Sequence, residues 1–337
     1  MSEHPDDLLE RALERLAETG PEFHGGLSNH GPMAVEALHH LGRADAIAAW
    51  LDGYLPQLEP CEPARGRAPK LAAIADWAEW QRLFADELAV SEWRFVVARW
   101  LPLLGPGLFA GATHGLLRTA HAIRMLRTRD TPLRRAELAS GLAYWAASHQ
   151  TLPGEVRPRG RRRAAELLAE LPAIAHEGWL ITEAIHGIDR VPELPALLSE
   201  LDPDELTPAR LLAAVAPWAA AGASVSAIVH VHVITSTVAL LQLEDLLARD
   251  EFTGLLAHAW HAVAALIGTW RPAGPQQAPA RAQIERELLI TRGLASRDEH
   301  GIKLVDACLT GFEQFGDVTL LHAADALLAA MPTASPG

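Results

Sequence analysis

The sequence predicts a compact all-α protein. Apolar residues recur at spacings of three and four along most of the chain, as in MAVEALHHLG, DAIAAWLDGYL and WRFVVARWL, and this is the period of one helix face. Alternating strand patterns are scarce. The 337 residues are 49% hydrophobic and 21% charged, so they can bury a large core. We expect roughly a dozen helices in a single domain over 1–337, with flexible ends at about 1–5 and 332–337.

Capping residues, prolines and glycines predict where helices begin and end. Asn29 with Pro32 predicts a helix start after the first amphipathic segment, and Gly42 predicts its end. Further starts are predicted at Asp130 with Pro132, and at Asp202, Asp204 and Pro208. The Pro/Gly/Arg-rich stretches 56–69, 153–162 and 271–280 are predicted to be surface loops. No fixed-period repeat is found, which disfavours a helical solenoid.

Composition and charge argue against several classes of function. A net charge of −13 and a pI near 5.6 disfavour nucleic-acid binding. The apolar segment 211–241 is interrupted by Pro217, Gly222 and two histidines, so a buried core helix explains it better than a membrane span. The acidic amphipathic N-terminus lacks a basic leader, which predicts a cytoplasmic protein. Cys61 and Cys308 are too few for a disulfide framework, and we expect reduced thiols.

Lys303 is an unusual residue in this chain, because only two of the 29 Lys and Arg residues are lysine. A spacing of three places His300 and Lys303 on one helix face, where both side chains can reach one metal ion. A lysine buried among apolar neighbours has its charged form disfavoured, and a neutral amine can capture carbon dioxide as a carbamate. The carbamate would supply an anionic oxygen ligand. The alternative is a structural lysine whose ammonium reaches the surface.

The chain has sixteen histidines, and several lie in apolar helical runs. His230 and His232 are two apart, so they should point to different faces of a helix, and at most one should join a given site. His114 and His121 are seven apart, which permits one ligand and one group further along the same cavity. His114, His232 and Lys303 are predicted to be buried. His258 and His261 form another same-face pair, His24 and His30 precede a helix, and His4, His39, His40 and His149 are interpreted as solvated or core residues.

Four short motifs in order, NHGPMAVEALHHLGR, THGLLRTAH, HVITS and EHGIK, resemble the questin oxidase-like family over most of the chain. The resemblance implies an all-helical enzyme that opens oxidised aromatic polyketide rings. It also implies a mononuclear non-haem iron held by four histidines and a carboxylated lysine, in a central helical cavity. Matched motif by motif, the implied metal ligands are His30, His114, His232, His300 and Lys303.

The sequence departs from this family at positions beside the implied ligands. Met33 and Ala34 stand where relatives tend to carry a His-His pair, and Arg118 and His121 replace a His and a Tyr. Because these departures lie beside the implied ligands, they bear on the identity of the substrate more than on the binding of the metal. We predict His121 and Arg118 as catalytic residues on the face of the helix that carries His114.

Four neutral imidazoles and one anionic oxygen suit Fe2+, Mn2+ or Zn2+ and leave one octahedral position for dioxygen or water. Iron is favoured through the resemblance, and the expected substrates are dioxygen and an aromatic polyketide or quinone-like molecule. The alternatives are an NADPH-dependent monooxygenase, a zinc hydrolase and a non-catalytic helical binding protein. The glycines of GPGLFAGATHG do not form GxGxxG and are interpreted as a helix-to-helix turn, and the need for NADPH stays open. A homodimer is the default association.

Overall fold

The computed structural model describes residues 3–277, 284–296 and 298–331. The predicted all-α class is confirmed: the chain is 68% helical and has only one small two-stranded sheet in this part. It forms two compact units, Met1–Thr151 with Gln242–Ala248, and Leu152–Leu241 with Arg249–Gly337. The single domain over 1–337 stays a prediction. The predicted flexible ends at 1–2 and 332–337 lie outside the described residues, whereas the first helix begins at Pro5.

The first unit contains seven α-helices and a β-hairpin in its described part. The helices are α1 Pro5–Leu16, α2 Gly31–His40, α3 Ile47–Tyr54, α4 Trp77–Val90, α5 Trp93–Leu104, α6 His114–Thr128 and α7 Pro132–Ala147. The antiparallel strands are β1 Glu22–Phe23 and β2 Leu27–Ser28. Short 3-10 helices cover Ala44–Ala46, Leu55–Gln57, Ile74–Asp76, Gly105–Gly107 and Glu244–Leu246.

Glycines on both partners allow α6 and α7 to pack with their backbones in contact. A Cβ at Gly115 would lie 2.7 Å from the Cα of Trp145, and a Cβ at Gly141 would lie 3.0 Å from the backbone N of Thr119. A methyl group at Gly115 would clash with the backbone of α7, and one at Gly141 would be tight against the backbone of α6, so the packing favours glycine at both positions. This close approach fixes the first turns of α6, which carry His114 and the side chains that follow it.

The second unit contains nine α-helices in its described part. They are α8 Ala164–Glu170, α9 Ile181–Ala184, α10 Leu194–Leu198, α11 Pro208–Gly222, α12 Ala227–Ala239, α13 Arg249–Thr269, α14 Arg286–Ala295, α15 Glu299–Phe315 and α16 Val318–Ala330. Further 3-10 helices cover Ile185–Arg190, Pro203–Glu205 and Leu240–Gln242. The apolar helix α12 packs against both α11 and α15, so side chains on its two sides meet different partners.

Several helix boundaries differ from the predicted ones. The described residues form sixteen α-helices, because short helices such as α8, α9 and α10 are too brief to show a clear periodicity. Helix α7 is capped by Thr131, whose side chain accepts from the backbone N of Arg134, while Asp130 pairs with Arg135. Helix α2 begins and ends as predicted, with Gly42 at a φ of 74° just after it. The segment 211–241 forms two helices, α11 and α12, with a break after Gly222.

Two helical stretches are long and apolar enough to cross a membrane by length and composition. They are Ala227–Leu246 and Arg249–Thr269, and 72% and 78% of their most apolar windows are buried within the folded chain. The core helices of globular proteins have the same composition.

Candidate functional site

His300 lies in the first turn of α15, where Asp298 determines the orientation of its ring. The Oδ1 atom of Asp298 accepts from the backbone N of His300 at 2.8 Å and lies 2.9 Å from Nδ1 of the same residue. Burial favours the neutral acid, but the hydrogen bonds and charge of His300 outweigh it and hold the pKa of Asp298 below its usual value. Nδ1 of His300 therefore carries the proton, and Nε2 is the nitrogen that can bind a metal.

Lys303 follows one turn after His300 and is 2% exposed. Its neighbours Ile302 and Leu304 are fully buried. Burial lowers the pKa of the Lys303 amine to about 8, although the carboxylates of Glu299 and Asp298 oppose the shift. At neutral pH roughly a tenth of the amine is therefore uncharged and able to react with carbon dioxide. The predicted burial of Lys303 is confirmed.

His232 comes from α12 and lies beside His300 in the second unit. Its ring centroid is 5.6 Å from that of His300 and the two planes meet at 66°. His232 is 1% exposed, as predicted. The second unit thus brings together an imidazole from each of two packed helices, with the Lys303 amine one turn beyond His300.

His230 points to the other side of α12, as its spacing from His232 predicts. Its Nδ1 lies 3.0 Å from the carbonyl oxygen of Ser226, and its ring fills the space that a Cβ on Gly222 would occupy. Burial lowers its pKa. His230 is therefore a packing residue between α11 and α12, separate from the pair formed by His232 and His300.

In the first unit, the rings of His30 and His114 are stacked, with centroids 4.4 Å apart and planes at 27°. His30 is the residue just before α2, and its backbone N donates to the hydroxyl of Tyr54 at 2.9 Å. Asn29 holds the preceding turn, because its side chain donates to the carbonyl oxygen of Gly20 and accepts from the backbone N of Gly31. Both imidazoles are at most 5% exposed.

A strained turn positions His114 at the start of α6. Gly111, Ala112 and Thr113 all have positive φ, at 53°, 56° and 73°, and the left-handed conformation costs roughly 1–2 kcal/mol for each residue other than glycine. The carbonyl oxygen of Gly111 lies 2.5 Å from Nδ1 of His114, which assigns the proton to Nδ1 and leaves Nε2 as the nitrogen that can bind a metal. Gly105, Gly107 and Gly111 therefore join two helices as predicted, whereas Gly115 lies inside α6.

Arg118 lies one turn after His114 on the same face of α6. Its Nε and Nη2 donate to the carboxylate of Glu137 at 2.6 and 2.9 Å, and both side chains are buried. Nη1 of Arg118 is also buried, and it has no hydrogen-bond partner in the part of the chain that the structure describes. Glu137 thus holds the edge of the guanidinium formed by Nε and Nη2, and the Nη1 amino group is available for a further acceptor.

His121, the other predicted catalytic residue, is held by a buried carboxylate. Its Nδ1 lies 2.5 Å from Oε2 of Glu36. Arg124 donates to the same carboxylate, from Nε to Oε1 at 2.7 Å and from Nη2 to Oε2 at 2.5 Å. Burial alone would raise the pKa of Glu36, but Arg124 and His121 hold it far below its usual value. Glu36 and Glu137 were not singled out from the sequence. The only sequence feature that could have indicated them is a carboxylate within a predominantly apolar helix segment.

The remaining histidines do not join these groups. His261 is 5% exposed, and its Nε2 has no hydrogen-bond partner among the described residues. Burial, with a smaller contribution from His258, lowers its pKa to about 4. His24 is exposed in the β-hairpin turn, and the ring of His149 packs against Gly107.

One cleft of about 300 Å³ lies in the first unit between the loop 61–64, α4 and α7. Its lining includes Cys61, Gln81 and Ala139 and contains none of the predicted ligands. The predicted central cavity with its metal stays a prediction.

No protein-family model matches this chain, and no curated protein sequence matches it. Membership of the questin oxidase-like family therefore rests on the four sequence motifs and stays a prediction.

Proposed function

We propose that this chain is a metal-dependent oxidoreductase, a mononuclear non-haem iron oxygenase that acts on an aromatic polyketide or quinone-like substrate. The proposed ligands are His30, His114, His232, His300 and the carbamate of Lys303. The single observation that carries the proposal is the arrangement of His300. Its Nδ1 is held by Asp298, its ring meets His232, and a desolvated amine follows one turn later.

The chemistry of the imidazoles supports metal binding. Metal-ligating histidines almost always donate their second ring N–H to a carboxylate or a backbone carbonyl, which fixes the tautomer and raises ligand basicity. His300 does so to Asp298, and His114 does so to Gly111. A neutral imidazole with its lone pair on Nε2 suits Fe2+, Mn2+ or Zn2+. Iron is chosen because of the motif resemblance.

The burial of Lys303 supports its role as the anionic ligand. An ammonium cannot ligate a cation, and a buried one would repel it. The lowered pKa makes a neutral amine accessible near physiological pH, and reaction with carbon dioxide converts it into a carbamate oxygen donor. A carbamate adds the negative charge that four neutral imidazoles lack.

Arg118 and His121 are the proposed catalytic residues. Nη1 of Arg118 offers a buried N–H donor, which would bind an anionic or carbonyl oxygen of the substrate. His121 lies one turn further along the same helix face and would exchange a proton with the substrate. A bound iron would supply the activation of dioxygen.

Metal analysis of protein purified without oxygen tests the proposal. We expect one iron per chain, and dioxygen uptake with a hydroxyanthraquinone. Uptake that requires NADPH in protein without bound iron would favour the NADPH-dependent monooxygenase. Stoichiometric zinc with oxygen-independent hydrolysis would instead favour a zinc hydrolase. Protein that binds no metal, even after anaerobic incubation with iron(II), would contradict the proposal and favour a non-catalytic helical protein.

A further inference from the structure

Glu36 combines three features that a purely structural ion pair does not require. Its carboxylate is 3% exposed, receives two N–H groups from Arg124, and still directs one oxygen at Nδ1 of His121. Because Arg124 already compensates the charge of Glu36, the contact with His121 is an additional one. This contact acts on the imidazole of His121, because it places the proton on Nδ1.

The other ring nitrogen of His121 is therefore an acceptor. Nε2 makes no hydrogen bond among the residues that the structure describes, and the side chain is 12% exposed. An imidazole whose Nδ1–H is held by a buried carboxylate, with Nε2 free to accept, is the arrangement that general bases use. The carboxylate fixes the ring and stabilises the imidazolium that forms.

We propose that Glu36 is a positioning residue that holds His121 as the proton acceptor for a phenolic or enolic hydroxyl of the substrate. The choice of an acidic hydroxyl rests on the proposed function, because the expected substrates are hydroxylated aromatic molecules. Arg118, one turn away on α6, would then face the oxygen that becomes negative.

The step is a proton transfer without oxidation. The O–H bond of the substrate breaks, an Nε2–H bond forms on His121, and the electron pair stays on the substrate oxygen. The resulting imidazolium keeps its Nδ1–H donated to Glu36, and the resulting oxyanion accepts from Nη1 of Arg118. Charge is conserved, and no further reactant is needed.

The tautomer of His121 can be measured without a substrate. In protein labelled with nitrogen-15 histidine, the His121 signals are identified by their loss in His121→Asn. We expect wild-type His121 to have the proton on Nδ1, and Glu36→Gln to shift a large fraction to Nε2. Glu36→Asp should restore the wild-type tautomer, because it keeps the anionic acceptor. If wild-type His121 carries its proton on Nε2, the proposal is wrong, and this result does not depend on any substitution of Glu36.

A phenol tests the proton transfer itself. The probe is para-nitrophenol, which is yellow only as its phenolate. With the protein as purified, we expect wild type to bind it as phenolate, and Glu36→Gln to lower the bound phenolate by about tenfold, equivalent to one pKa unit. Bound neutral phenol in wild type, or equal phenolate in wild type and Glu36→Gln, would overturn the proposal.

Glu10→Gln is the matched control, because Glu10 also pairs with a buried arginine of the first unit, Arg134, and its polar contacts among the described residues include no histidine. It should change neither the tautomer nor the bound phenolate. Iron is measured in every sample. Absence of iron with the expected tautomer counts against the proposed function alone, whereas the wrong tautomer with iron present counts against Glu36 alone.

Discussion

One oxygen of Asp298 both caps α15 and orients the imidazole of His300. It lies 2.8 Å from the backbone N and 2.9 Å from Nδ1 of His300. Serine is also a good N-cap but is too short to reach the ring. We expect Asp298→Ser to change stability by less than about 1 kcal/mol and to weaken iron binding by about 10–100-fold. Chemical denaturation and iron titration measure the two effects separately.

Asp317 provides the control for this substitution. It caps α16 by accepting from the backbone N of Thr319 at 2.9 Å, and its polar contacts within the described part of the chain include no histidine. Asp317→Ser should therefore leave iron binding unchanged. Equal iron affinity in wild type and Asp298→Ser would show that the contact with His300 does not support a metal ligand.

Removal of a ligand imidazole should remove the metal. We predict that His232→Ala and His30→Ala each lose most of the bound iron, whereas His39→Ala keeps it. The sequence-based assignment places all ligands on one ion, so wild type should bind one iron per chain. Elemental analysis checks both points. Full iron in either ligand variant, or two irons per chain in wild type, contradicts the assignment.

The strained turn before α6 predicts different effects of glycine at two neighbouring alanines. Ala112 has a φ of 56°, whereas Ala110 is not among the residues with positive φ. Glycine relieves strain of about 1–2 kcal/mol at Ala112, which roughly offsets the loss of its buried methyl group and the chain entropy of glycine. We expect Ala112→Gly to be about as stable as wild type. Ala110→Gly should lose about 1–2 kcal/mol through the methyl group and chain entropy, and denaturant unfolding with the reverse order would refute the role of strain.

His261 predicts a loss of stability in mild acid. Burial lowers its folded-state pKa to about 4, below the unfolded value of 6.5, so the unfolded state binds more protons between these values. The contribution of His261 to the free energy of unfolding is fully present above about pH 6.5. It is lost as the pH falls towards 4, by up to about 3 kcal/mol. We expect His261→Gln to flatten the pH dependence of the urea midpoint in this window. An unchanged slope in the variant would exclude His261 as its source.

Local sequence patterns predicted much of the fold, because helix periodicity and capping depend on neighbouring residues. The start of α2, Gly42 after its end and the divergence of His230 from His232 follow from such spacings. The break after Gly222 was missed, because Gly222 was interpreted as an interruption within one buried helix and not as the end of a helix.

The partners of the candidate site could not be predicted from the sequence. Glu36 meets His121 from 85 residues away, and Arg118 and Glu137 lie on different helices. No spacing rule relates residues on separate elements. The positive φ of Ala112 and Thr113 is likewise imposed by the surrounding packing, since neither residue type favours that conformation.

Substitutions that change the charge or the shape of the side chain at position 303 distinguish a metal ligand from a structural lysine. Lys303→Arg places a permanent cation beside the metal, so iron binding should collapse. Lys303→Glu restores an anionic oxygen on a shorter stem and should keep part of the iron. A structural lysine that reaches the surface predicts the reverse order, with arginine tolerated and glutamate harmful. Iron content of both variants decides between these patterns.

Detection of the carbamate on Lys303 tests the central claim most directly. Lys303 and the exposed Lys70 are the only lysines in the chain, so Lys70→Arg leaves a single side-chain amine that can react. Carbon-13 NMR of this variant with labelled bicarbonate should show a protein-bound carbamate, distinct from that of the N-terminal α-amine, that is absent from the Lys70→Arg/Lys303→Arg double variant. Iron should fall on depletion of carbon dioxide and return with bicarbonate. If no carbamate forms and Lys303→Arg holds as much iron as wild type, Lys303 is a structural residue and the proposed metal site is wrong.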